Sequence, residues 1–162
     1  MPIHLRKKAL IAFFFVGAIA MLSMSMHFFQ HEVSGIMKYK AISSSYLYRL
    51  CFKSHILFGM VDIFIGPFQF LTQLRRNRRS LHRRLGYFYF SAVIVSALMG
   101  LIVAQYAMGG LISTIGFSLL AVCWMSSAIA AIVAIRNKDL AGHKKWMYVN
   151  YALTFAAITQ RT

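Results

Sequence analysis

Four apolar runs of membrane-crossing length, separated by short stretches dense in arginine and lysine, constrain this chain more than any other feature. They cover 9–29, 46–74, 86–107 and 111–135, and a shorter fifth covers 146–161. A helix crossing the hydrocarbon core needs roughly 20 mostly apolar residues, since lipid offers no partner to backbone N–H and C=O groups. Composition agrees: 59% of the 162 residues are hydrophobic and only three, Glu32, Asp62 and Asp139, are acidic. Mean hydropathy is +0.63. The sequence therefore predicts an all-α integral membrane helical bundle with about five transmembrane helices, a single membrane domain over 1–162.

The first run follows Arg6, Lys7 and Lys8 and opens like a signal peptide. It is too long for such a segment and no small-x-small cleavage pattern follows, so it reads as a retained anchor. The formal net charge is +15. Its cations gather in "RRNRRSLHRRLGY" (75–87) and "RNKDLAGHKKWMY" (136–148), between apolar runs, and not on a soluble face; this excludes nucleic acid as the partner. Positive-inside bias puts the N-terminus and both basic stretches in the cytoplasm, and the Met108-Gly109-Gly110 turn and the C-terminus outside. Segment 30–45, "QHEVSGIMKYKAISSS", then lies outside as a short interfacial helix or an irregular cap.

The run "HILFGMVDIFIGPFQF" (55–70) carries polar groups that lipid would not tolerate. His55, Gly59, Asp62, Gly66 and Gln69 are spaced 4, 3, 4 and 3, which places them on one helical face. Glycines there allow a second helix to approach, and the polar groups need partners on it. An ionised Asp62 at the middle of a span costs roughly 2.5 kcal/mol or more, so the group is protonated, paired or facing water. A functional acid and a neutral acid bonded across helices are both open readings. Pro67 removes a backbone donor and predicts a kink, with Gln69 as the side chain that satisfies the freed carbonyl.

The histidines are His4, His27, His31, His55, His82 and His143. His82 and His143 belong to the inner face and His55 to the outer, separated by roughly 28 Å of helix. One metal cannot bridge them, but two sites can be drawn. His82 with His143 would ligate one b-type haem, and His55 with His27 or His31 another, through neutral imidazoles. The competing reading is anchoring. Arg83, Arg84, Lys144 and Lys145 flank the inner pair, and anionic lipid returns about 1 kcal/mol per cation, more than the roughly 0.3–1 kcal/mol each cation loses at a helix N-terminus. A haem propionate would use the same cations. "MLSMSMHFFQH" (21–31) offers Met24, His27 and His31 as soft ligands suited to copper, the second cofactor candidate, although methionine also fills apolar helices.

"HRRLGYF" (82–88) and "HKKWMYV" (143–149) echo one another, either as a weak internal repeat or as a shared pattern for crossing the interface. Cys51 and Cys123 lie far apart with no CxxC spacing, which predicts free cysteines packed as small apolar residues. No GxSxG, HExxH or phosphate-cradling glycine loop occurs, and the scarce acids rule out a carboxylate metal cage.

"HILFG", "GPFQF", "LHRRLGYFYF", Gly116-Phe117, Trp124, "GHKKWM" and "YALTFAAITQR" occur in an order that resembles DUF2306, a family of predicted bacterial membrane proteins without an assigned function. The resemblance covers 54–161. It implies an all-helical membrane fold, histidines matching His55, His82 and His143, and a place in the bacterial cytoplasmic (inner) membrane. It also implies a basic residue near Asn150 and a chain continuing past Arg161. This sequence departs on both counts, so a closing helix is expected to be missing, and Asp62 lies outside the family pattern. The reading reached from residues and resemblance together is a membrane redox component holding haem or another metal through His55, His82 and His143. The alternative is a non-catalytic subunit, alone or in a homo- or hetero-oligomer, that binds lipid or a partner protein.

Overall fold

The computed structural model describes residues 3–30 and 45–159, without side chains at 3–8, 10, 24, 25, 27–30 and 157–159. Met24, His27 and His31 as ligands, and segment 31–44, lie outside the described residues. Within them the chain forms six helices and no strand: α1 (Ile3–Gln30), α2 (Tyr46–Gln69), α3 (Thr72–Asn77), α4 (Arg79–Ala104), α5 (Gly110–Arg136) and α6 (Leu140–Thr159).

Helices α2, α4 and α5 are long and apolar enough to cross a membrane, and α1 carries a shorter apolar stretch, Ile11–Ser23. A helical membrane bundle results. Helix α2 packs on α4, α4 on α5 and α5 on α6, while α1 lies along α2 and α2 also touches α6. Tyr89, Val93 and Ala97 of α4 meet Trp124, Ala128 and Ala131 of α5 and Met147 and Tyr151 of α6 in one buried core. The alanines matter because lipid supplies no hydrophobic drive between helices, so association depends on close backbone approach. Outward-facing Leu57, Phe64, Ile112 and Leu119 present an apolar surface.

Three boundaries differ from those read in the sequence. The run over 46–74 is not one helix: α2 stops at Gln69, Phe70 and Leu71 turn, and α3 follows. Pro67 lies in the last turn of α2, where its missing N–H and its ring weaken the turn that precedes it. The arginine stretch 75–87 is mostly helical, α3 and α4 meeting at Arg78, because arginine and leucine favour helix even where cations end the apolar run. Likewise α6 begins at Leu140, ahead of its apolar part. The turn between α4 and α5 takes φ of 112° at Gly109 and 66° at Gly110, a conformation that side chains strongly disfavour. Asp139 precedes α6 and its carboxylate accepts from the Gly142 N–H at 2.8 Å, an N-terminal cap. Both cysteines are free; Cys51 is buried, but Cys123 is exposed on the outer surface of α5 and is not packed inside.

Candidate functional site

The polar stripe of α2 runs along its contact with α4. A side chain built at Gly59 would meet Ser96 Oγ at 3.7 Å, and one built at Gly86 would meet Gln69 Oε1 at 3.6 Å. These pairs set an antiparallel register in which the α2 stripe faces Ser96, Tyr89 and Gly86 in turn. Toward the end bearing the glycine turn, His55 and Ser96 clasp each other. His55 Nδ1 lies 2.8 Å from the Ser96 carbonyl, and Ser96 Oγ donates to the His55 carbonyl at 2.9 Å. A carbonyl only accepts, so the Nδ1 of His55 is the donor of this bond.

Asp62 is fully buried at the middle of this stripe. Neither of its oxygens has a hydrogen-bond partner among the described residues. Tyr89 lies within electrostatic reach of it, but the Tyr89 hydroxyl donates instead to Asn150 Oδ1 at 2.7 Å. Of the two described acids, Asp139 caps a helix and Asp62 has no structural partner.

Pro67 cannot donate to the Ile63 carbonyl, the acceptor one helical turn back. The Tyr151 hydroxyl of α6 supplies that bond at 3.2 Å. Its ring crosses α2 over Gly66, where any side chain would collide with it. The expectation for Gln69 is thereby corrected: a tyrosine from another helix fills the vacancy, and Gln69 Nε2 is buried without a partner among the described residues. The freed carbonyl was legible in the sequence; its donor, 88 residues away, was not.

A second polar cluster, which sequence reasoning missed, joins α4, α5 and α6. Asn150 is fully buried; it accepts from Tyr89 and donates to the Trp124 carbonyl at 2.8 Å and Ser127 Oγ at 2.9 Å. Trp124 Nε1 donates to Thr154 Oγ1 at 2.9 Å, and that hydroxyl donates to the Asn150 carbonyl. An asparagine in an apolar run is the signal that such a cluster exists, though not of its members.

At the basic end, His82 and His143 occupy matching positions, each the fourth residue of its helix. His82 lies within electrostatic reach of His143, Arg75 and Arg83. His143 Nδ1 donates to the Ala131 carbonyl at 2.9 Å, and His82 Nδ1 is buried without a partner among the described residues. Arg83, Arg84, Lys144 and Lys145 are all exposed. His55 is remote from this pair: Ser96, its partner, lies 14 residues beyond His82 on α4, roughly 21 Å along the helix. No group of three or more His, Cys, Asp or Glu suited to a metal occurs among the described residues.

The family model for predicted membrane proteins of DUF2306 matches residues 52–162. The chain belongs to the DUF2306 family. The matched region contains the whole α2–α4 seam from His55 onward, the basic end and the Asn150 cluster, and it leaves α1 outside. No curated protein and no solved structure matches this DUF2306 chain.

Proposed function

We propose that this DUF2306 protein is a multi-pass redox component of the bacterial inner membrane. In this reading α1 and α6 cross alongside α2, α4 and α5, and the N-terminus and both basic stretches are cytoplasmic. The orientation rests on the cation asymmetry across α4 and α5, the short turn at Gly109 standing opposite the arginine-rich end. His55, His82 and His143 are the ligand candidates for b-type haem.

One observation carries the redox reading. At both ends of the bundle a histidine ties Nδ1 to a backbone carbonyl of a neighbouring helix, His55 to Ser96 and His143 to Ala131. That bond orients the ring, as a hydrogen bond from the second ring nitrogen does in metal-ligating imidazoles. His82, close to His143, makes the inner pair that bis-imidazole ligation requires. Bound haem would supply one-electron transfer; the chain's own histidines would hold it and Arg83, Arg84, Lys144 and Lys145 would meet its propionates.

The exposure of those four cations favours a second reading, a non-catalytic subunit that binds anionic headgroups or a partner protein. A reduced-minus-oxidised absorption spectrum of the purified full chain, with metal analysis of the same sample, decides between them. The redox reading expects a stoichiometric haem signal that His82→Ala and His143→Ala each abolish. A folded protein made with haem available that holds neither haem nor metal contradicts it and leaves the lipid or partner reading.

A further inference from the structure

Four buried side-chain polar atoms lack a hydrogen-bond partner among the described residues: both oxygens of Asp62, Nε2 of Gln69 and Nδ1 of His82. Asp62 and Gln69 lie on the α2–α4 seam, and His82 lies just beyond its basic end, where α3 succeeds α2. Asp62 and Gln69 stand two turns apart on one face of α2, Gln69 lies across from Gly86, and His82 is one turn before Gly86 on α4. The register brings Asp62 level with Val93, eleven residues beyond His82, so the series covers roughly 16 Å. Buried polar groups that lack protein partners are commonly satisfied by internal water, and a row of them marks a route for it.

We propose that the seam is a proton-access path that opens at the basic end, passes Gln69 and stops at Asp62. A proton from the aqueous phase adds to a carboxylate oxygen of Asp62, giving the neutral acid, and leaves by the same route; no other bond changes. Beyond Asp62 the seam is shut. There His55 Nδ1 bonds to the Ser96 carbonyl and Ser96 Oγ to the His55 carbonyl, tying the two helices together, and Ile56, Val93 and Ala97 are buried. The titratable groups facing Asp62 are Tyr89 from α4 and, bonded to the adjacent Ile63 carbonyl, Tyr151 from α6. Helices α1 and α5 bring none among the described residues. Arg75, Arg83 and His143 surround His82 at the mouth, where His82 contributes a hydrogen-bonding nitrogen and is not required to titrate. The path depends on the seam alone and holds whether or not the histidines carry haem.

Infrared spectra of the full chain in lipid vesicles, transferred from H2O to D2O, test this directly. With only three acidic side chains, the protonated-carboxyl band can be assigned by its loss in Asp62→Asn or its displacement in Asp62→Glu, should the first variant not fold. The expected result is an Asp62 band that exchanges at a rate resolved by rapid mixing, an exchange slowed about tenfold by Gln69→Leu, and a rate in Ser96→Ala equal to that of the unmodified chain. A band that does not exchange, one whose rate ignores Gln69→Leu, or no Asp62 carboxyl band at any pH where the protein is folded would overturn the proposal.

Discussion

The Asn150 cluster and the α2–α4 seam are both polar, both buried and neighbours in the same bundle, yet they are built on opposite terms. In the cluster the Asn150 amide has partners on both its oxygen and its nitrogen, drawn from the two helices that α6 faces, α4 and α5. Along the seam and at its basic end, Asp62, Gln69 and His82 leave four atoms without partners among the described residues. A satisfied network fastens helices in a medium where an unpaired group is expensive, whereas an unsatisfied one lowers stability and persists where it has a task. The cluster holds the bundle; the seam is what the bundle holds.

That contrast can be broken at several points by thermal unfolding in detergent. Gly66→Ala should have the largest effect, since the new methyl collides with the Tyr151 ring; a loss of about 3 kcal/mol is expected, the upper range for overpacking. Asn150→Ala strands the Tyr89 hydroxyl and removes a donor from the Trp124 carbonyl and from Ser127, which keep their bond to each other, and should cost about 2 kcal/mol. Asp62→Leu has the opposite sign: removing an unpartnered buried carboxyl should raise stability by about 1 kcal/mol. A destabilised Asp62→Leu would show that the acid is a structural bond like Asn150, and would erase the distinction. Tyr151→Phe removes only the donor to the Ile63 carbonyl and should cost about 0.6 kcal/mol, the mean for a hydrogen bond between membrane helices.

Much of this architecture was legible in the sequence, for physical reasons that also mark where legibility stops. Lipid imposes length and apolarity on a span, so α5 is readable almost to the residue, Gly110–Arg136 against 111–135. A cation ends the apolar run without ending the helix, so α4 and α6 begin earlier than hydropathy indicates. The stripe from His55 to Gln69 follows from helical periodicity alone. What faces it does not: Ser96, Gly86 and Tyr151 reach it through packing between helices, and although Gly86 and Tyr151 lie in quoted motifs, nothing in those motifs says that they meet the stripe. Pro67 announced a freed carbonyl, and local reasoning supplied the nearest polar side chain, Gln69; the fold supplied Tyr151. Asn150 drew notice only as a departure from the family pattern, yet it has partners on all three helices of the cluster.

The most direct test of the contrast is thiol labelling. Gln69→Cys and Ser127→Cys, each in a chain with Cys51→Ala and Cys123→Ala, would be exposed in membrane vesicles of known orientation to a membrane-impermeant methanethiosulfonate. The account predicts that Gln69→Cys reacts from the side bearing the basic stretches and not from the other, at about ten times the rate of Ser127→Cys or more. Equal rates at the two positions, or labelling of Gln69→Cys from the opposite side, would contradict it.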